Sequence, residues 1–350
     1  MIYRKLIIYY FSGTGNARNV AFWIDQLAKE FDIKSKIIDI SKLKDRKKLE
    51  IPKDALIGFC SPTHGFNFPP IMFHFLLRFP PAKKNDCFIV NTRAGMKAGR
   101  FFLPGISGMA QYFSALILRL KGYKIKGMHP IDLPSNWISF HPGIKEKVVK
   151  SIYERRKSEV TKLAHNLFSG GKSYKGLRAI IVDILITPIA FAYYIVGRFI
   201  LAKSFYASQD CSKCNLCIQK CPIQAIRTVD KRPFWTHNCE SCMQCMNICP
   251  ERAIETAHGL TIGMYYLITY VVIIKLYQLV DLNIIIDKLF PEWLGDLFQF
   301  FIDAGLIIIL FIVYYSIFHY LLRFKIFERF VVYTSLTKWK FWRRYKIIKK

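Results

Sequence analysis

The stretch YYFSGTGNARNVAFWI (Tyr9–Ile24) changes its pattern in the middle. Up to Phe11 it continues an apolar run that begins at Lys5, and from Asn16 a helical pattern runs to Phe31. Two glycines and three small polar residues join the two. A strand that turns straight into a helix presents unpaired backbone N–H groups and the positive end of the helix, which together receive a phosphate. Gly13 and Gly15 give room for close approach, and Ser12, Thr14 and Asn16 add side-chain donors. The pattern is neither G-x-G-x-x-G nor a P-loop, since no Gly-Lys-Ser/Thr follows.

The same alternation continues outward from this turn. Further strands are expected at Ser35–Ile40, Ala55–Cys60, Cys87–Thr92 and Ile125–Ile131, with helices at Pro70–Phe79, Gly108–Gly122 and Gly143–Phe168. Continuous Ile, Val, Leu and Tyr runs separated by helices predict an α/β domain, a doubly wound five-stranded parallel sheet covered on both faces. Ligands of such sheets gather at the carboxyl ends of the strands. Two more loops fall there. CSPTHGFNFPP (Cys60–Pro70) contributes Ser61, Pro62, Thr63, His64 and Gly65, and NTRAGMKAGR (Asn91–Arg100) contributes Asn91, Thr92, Arg93, Ala94 and Gly95. Thr63, His64 and Asn91 are candidate polar contacts, although His64 suits a solvated loop equally well. Phe66 or Phe68 is expected to stack on a bound ring, and DLPSNW (Asp132–Trp137) to cover it. Cys60 and Cys87 read as buried strand residues. The first turn resembles the S-x-T-G-N-T phosphate loop of flavodoxins, with Ala17 where those proteins usually offer another threonine. That resemblance implies FMN as a cofactor, with the three loops around it.

Eight of the ten cysteines lie in two runs, CSKCNLCIQKCP (Cys211–Pro222) and CESCMQCMNICP (Cys239–Pro250). Both read C-x2-C-x2-C-x3-C-P. Zinc needs four ligands, commonly two C-x2-C pairs set apart, and gives no reason for a third cysteine at the next step or for two complete copies. Three thiolates at this spacing wrap one face of a cubane. The fourth, too far along to close the same site, ligates the other cluster in the bacterial ferredoxin spacing. One [4Fe–4S] cluster is thus assigned Cys211, Cys214, Cys217 and Cys249, and the other Cys239, Cys242, Cys245 and Cys221. The region from about Phe205 to His258 resembles two-[4Fe–4S] ferredoxins, which implies a small α+β domain of two pseudo-symmetric βα hairpins. Together, residues 1–258 resemble fused flavodoxin–ferredoxin proteins, and this implies FMN and two clusters in one electron-transfer unit.

Composition points to a membrane. Of the 350 residues 52% are hydrophobic, including 29 Phe and 19 Tyr, and the net charge is +28. Ile262–Ile286 and Leu297–Leu322 are each long enough to cross a core of about 30 Å at about 1.5 Å per residue. Lys275, near the middle of the first, is expected to face the partner helix or a polar ligand. From Arg323 onward there are ten Lys/Arg and one acid, Glu328. This bias keeps the tail inside and leaves Asp287–Asp296 as the outer loop. Ala179–Leu201, interrupted by Asp183, Pro188 and Arg198, reads as a bent, interfacial or re-entrant element. The N-terminal run leads into a glycine-rich turn rather than a cleavage site, so the chain is expected to start in the cytoplasm.

The expected organisation is a flavodoxin-like FMN domain (1–170), an apolar linker (171–204), a ferredoxin domain (205–258), two transmembrane helices (259–322) and a basic cytoplasmic tail (323–350). The expected function is electron relay between FMN and two [4Fe–4S] clusters at the cytoplasmic face of a membrane crossed more than once. No residue is expected to act as a general acid or base. The expected partners are a redox protein or quinone and anionic lipid, rather than nucleic acid. A redox-sensing or scaffold subunit without turnover is the alternative.

Overall fold

A computed structural model of the chain describes residues 2–43, 49–98, 101–280 and 291–342, in two compact units. The first runs to Phe191 and includes Cys242–Asn247; the second comprises Ala192–Ser241 and the chain from Ile248.

The first unit is built on strands β1 (Lys5–Tyr10), β2 (Lys34–Asp39), β3 (Ala55–Pro62), β4 (Asp86–Ala98) and β6 (Lys124–Pro134). They pair in parallel in the order β2-β1-β3-β4-β6. Helices α1 (Asn16–Glu30), α2 (Pro70–Arg78), α3 (Ala110–Leu120) and α4 (Glu146–Phe168) come after β1, β3, β4 and β6 in the chain. The strands are apolar on both sides because both faces are covered. Val20, Ala21, Ile24 and Ala28 of α1, spaced as one helical stripe, pack with Val160, Leu163, Ala164 and Leu167 of α4 on Leu6, Ile8, Leu56 and Val90. Tyr9, Phe59, Phe75 and Phe79 form an aromatic cluster, with Tyr9 5.0–6.0 Å from the other three rings. A short strand β5 (Phe101–Leu103), which the sequence pattern did not reveal, pairs antiparallel with the end of β4 and makes the sheet six-stranded. It forms because β4 continues to Ala98, past the expected end at Thr92, and offers an open edge.

The apolar stretch after this sheet does not run straight. Helices Lys175–Leu185 and Thr187–Ala202 meet at 80°. Pro188 has no N–H to give the Ile184 carbonyl, so the helical ladder is interrupted there. Asp183 is fully buried and accepts from the Gly108 N–H (2.7 Å) and the Tyr112 hydroxyl (3.1 Å). Asn67 donates to the Ala190 carbonyl at 2.8 Å.

The second unit holds two small antiparallel pairs, Phe205–Ala207 with Ile254–Thr256 and Ile226–Val229 with Arg232–Trp235. Two helices follow that are long and apolar enough to cross a membrane, His258–Val280 and Leu294–Leu321. Tyr277 of the first donates to Asp303 of the second at 2.8 Å. Lys275, expected to face the partner helix or a polar ligand, is exposed, two residues before Tyr277. Residues 287–290 of the expected outer loop lie outside the described residues, and a helix begins at Glu292. The basic tail is folded over its described part. Helix Lys325–Tyr333 buries Glu328 against Arg232 (3.0 Å), Ser335 meets the Tyr206 hydroxyl (2.8 Å), and Thr337 accepts from the Thr256 N–H (2.9 Å). Residues 343–350 of that expected tail lie outside the described residues.

Candidate cofactor sites

The first site is a cleft at the carboxyl ends of β1, β3, β4 and β6. Ser12, Gly13, Thr14, Asn16, Pro62, Thr63, His64, Thr92, Arg93 and Ala94 line it, as the strand–loop reading expects. Gly15 adopts φ +105° and donates its N–H to the Ser12 hydroxyl at 3.0 Å, which folds the first loop into a tight turn. Asn19 N–H bonds to the Gly15 carbonyl at 2.9 Å, so the N–H groups before it, in the first turn of α1, have no intrahelical partner. At Gly13 a Cβ would fall 2.6 Å from the Cβ of Cys242, so no side chain fits there.

Side-chain bonds hold the loops to one another. Asn136 donates to the Thr14 hydroxyl oxygen (2.6 Å), which leaves the Thr14 proton to be given elsewhere. Asn16 donates to the Pro134 carbonyl (2.9 Å) and accepts from Tyr153. Asn91 is fully buried; it donates to Thr63 (2.7 Å) and Ser107 (3.1 Å) and accepts from Gln111. It is therefore a brace beneath the cleft and does not line it. Ser61, Gly65, Gly95 and Gly15 also lie off the lining. Arg93 donates to Asp132 at 2.7 Å, and the same carboxylate accepts from Gly105 N–H and Arg156. The stacking ring was misplaced by the sequence reading. Phe68 is core, and the aromatic residue lining the cleft is Trp137, beside His64 at 6.1 Å between ring centres. Its neighbours Pro134, Ser135 and Asn136 line the cleft with it, so the DLPSNW segment forms a wall.

These residues fit a phosphorylated flavin. Backbone donors at a helix start suit the phosphate, and Trp137 offers a flat apolar face to a ring.

The other candidates are the eight thiols, Cys242 and Cys245 in the first unit and the other six in the second. Burial pushes the Cys217 thiol up to about 11, and the charges of Cys211, Cys249 and Cys214 add to the rise. Cys249, the last cysteine of the second run, is thus grouped with the first three of the first run. Burial pushes Cys239 up to about 12, and Cys221 and Glu240 raise it further. Backbone N–H groups donate to sulfur at Cys221 (3.2 Å), Cys239 (3.4 Å) and Cys249 (3.3 Å). Such bonds favour the thiolate that binds metal.

The two runs repeat in conformation as well as in sequence. Lys213 and Ser241 have φ of 57° and 52°, Asn215 and Met243 56° and 60°, and Gln224 and Arg252 52° and 51°. These left-handed residues at matching positions give each run the same turns. A cubane takes four thiolates at separate corners, and eight thiols in two runs are the donor type and number for two of them.

Sequence reasoning missed Lys203. It is 3% exposed, donates to the Trp235 carbonyl at 2.7 Å, and is held down to about 8 by burial, with Cys239 acting the other way. The only sequence signal was a lysine at the end of an apolar run.

Residues 210–254 match the 4Fe-4S dicluster domain family. The cysteine region is ferredoxin-type. Among solved structures, similarity extends to rubredoxin oxygen:oxidoreductase from the anaerobe Desulfovibrio gigas, at 16% identity and a TM-score of 0.31 over 47% of this chain and 36% of that one. Flavodoxin 1 from Bacillus cereus is similar at 15% identity and 0.30, covering 45% of this chain and 97% of that one. A flavodoxin from the domain Archaea is similar at 17% and 0.26, covering 46% and 99%. The chain thus spans about a third of the first of these proteins. No curated protein matches. The strand order of the first unit is that of the flavodoxin-like doubly wound sheet. The matched region supports an iron–sulfur cluster within residues 210–254.

Proposed function

We propose that this chain is a membrane-anchored electron-transfer protein that holds FMN in the first cleft and two [4Fe–4S] clusters on the eight thiols. The observation that carries the reading is the repeat: two C-x2-C-x2-C-x3-C-P runs whose left-handed residues fall at matching positions. A two-cluster module requires such a pair of runs, and a pair of separate zinc sites does not. FMN would exchange electrons singly or in pairs, and the clusters one at a time, so the chain would convert between two-electron and one-electron partners. The Gly13–Asn16 turn and the start of α1 would hold the phosphate, Thr63, Thr92 and Ala94 would edge the ring, and Trp137 would exclude water from it.

Anchoring through His258–Val280 and Leu294–Leu321 is supported by their length and hydropathy. The bonds from Arg232, Tyr206 and Thr256 to Glu328, Ser335 and Thr337 favour an even number of crossings between them, because segments on either side of the helix pair meet. The basic residues after the second helix favour the cytoplasmic side. Ala179–Leu201 is read as re-entrant or interfacial. A lipid core rejects a charge like that of Asp183, which is buried in protein, whereas Ile181, Leu185 and Ile189 are 72%, 74% and 57% exposed. The acceptor is proposed to be a quinone or an integral-membrane redox partner.

Steady-state reduction of a quinone analogue by the purified chain tests the function; a protein that holds its cofactors but turns nothing over supports the sensing or scaffold role. For topology, Asp296→Cys should label from outside intact cells and Lys340→Cys should not. Labelling at position 340 would mean an odd number of crossings.

A further inference from the structure

Lys203 is the only buried Lys or Arg among the described residues, and no carboxylate pairs with it there. Burying an unpaired cation is costly, and partial compensation comes from what surrounds it. Its ammonium donates to the Trp235 carbonyl at 2.7 Å and lies 4.6 Å from the centre of the Tyr315 ring and 5.2 Å from that of Phe234. Ring faces hold a cation without neutralising it. Trp235 leads directly into the turn that carries the first ligand of the second run: the Cys239 N–H bonds to the Thr236 carbonyl at 3.3 Å. Cys239 is itself buried.

We propose that Lys203 is a positioning residue for redox potential, a fixed positive charge at the Cys239 side of the second run. Adding one electron to a cluster adds one negative charge, and a desolvated cation nearby stabilises that form. The cluster assigned to Cys221, Cys239, Cys242 and Cys245 is then the easier of the two to reduce, which gives electron flow through the module a direction. The inference rests on the two-cluster reading above.

The test is an anaerobic redox titration of the full chain in detergent, with dithionite and mediators, followed by EPR. Wild type, Lys203→Gln and Lys203→Arg are compared, and the signal lost in Cys221→Ser marks the cluster concerned. Glutamine keeps an N–H for the Trp235 carbonyl and removes the charge; arginine keeps both. Lys203→Gln should make that cluster about tenfold harder to reduce, about 59 mV for one electron, and move the other less. Lys203→Arg should stay near wild type. An unchanged potential in Lys203→Gln overturns the inference, as do equal shifts or equal iron loss in the two variants, which would make Lys203 a packing residue. Wild type without two cluster signals would overturn the two-cluster reading, and this inference with it.

Discussion

The two cofactor sites are built in opposite ways. The flavin cleft rests on long parallel strands, and its loops are tied by side chains far apart in sequence, such as Asn136 to Thr14 and Asn91 to Thr63. The thiol site rests on strands of three or four residues and helices of four or five, with left-handed non-glycine residues between its ligands. Such backbone costs energy at each position, and so few residues bury little to offset it. A cleft of the first kind stands without its ligand. A site of the second kind gains folding energy from its metal. Each prediction below tests that difference.

The largest effect should come from single ligands. Cys217→Ser should remove the cluster shared with Cys211, Cys214 and Cys249, and Cys221→Ser the other. Either change should roughly halve the iron and acid-labile sulfide per chain. Loss from Cys221→Ser of the cluster nearest it in sequence would break the crossed assignment.

Removing iron altogether should separate the units. Under anaerobic chelation the amides of Phe205–Ala207, Ile226–Val229 and Ile254–Thr256 should lose hydrogen-exchange protection, while those of β1, β3 and β4 keep theirs. Equal loss in both would mean that the cleft also depends on the clusters.

The smaller effects belong to the sheet. Glu159 accepts from Arg156 (2.7 Å), Lys175 (3.0 Å) and His129 (3.2 Å). Burial alone would raise its pKa, but the bonds from His129, Lys175 and Arg156 hold it well below the carboxylate range. Burial holds His129 below its ordinary value, against the pull of Glu159. Both groups bind fewer protons folded than unfolded, so stability rises with pH. The contribution is complete above pH 6.5, the ordinary value of histidine, and is lost as pH falls, with the Glu159 part going below 4.5. Glu159→Gln should cost about 1–3 kcal/mol at pH 8 and less at pH 4, read from denaturant midpoints. An equal cost at both would remove the charge from the explanation. Smallest of all, Thr14→Ala should weaken FMN binding by about 1–2 kcal/mol, the loss of one bond to a charged phosphate, measured by fluorescence titration.

The same contrast explains what could be read in advance. Short-range patterns were legible: the cysteine spacing, the Ser12–Asn16 turn, and the parallel strands with their helices to within a few residues at most ends. What depended on distant partners was not. Asn91 looked like a ligand contact because its loop is in the right place, but Gln111, Thr63 and Ser107 claim its amide. Trp137 replaced Phe66 and Phe68 because the sequence could not say which loop would turn a ring inward. The exposed Lys275, the bonded Asp303 and the folded tail were illegible for the same reason. Lys203 was passed over because a lysine ending an apolar run is ordinarily solvated; only its three-dimensional surroundings make it unusual.

The central claim is that one chain carries a flavin site and two cubane sites. Anaerobic purification from membranes, followed by assay of iron, acid-labile sulfide, zinc and released flavin on one sample, tests it most directly. About eight iron, about eight sulfide and about one FMN per chain is the expected result. Zinc without sulfide, or FAD, or no flavin after supplementation with FMN, would contradict it.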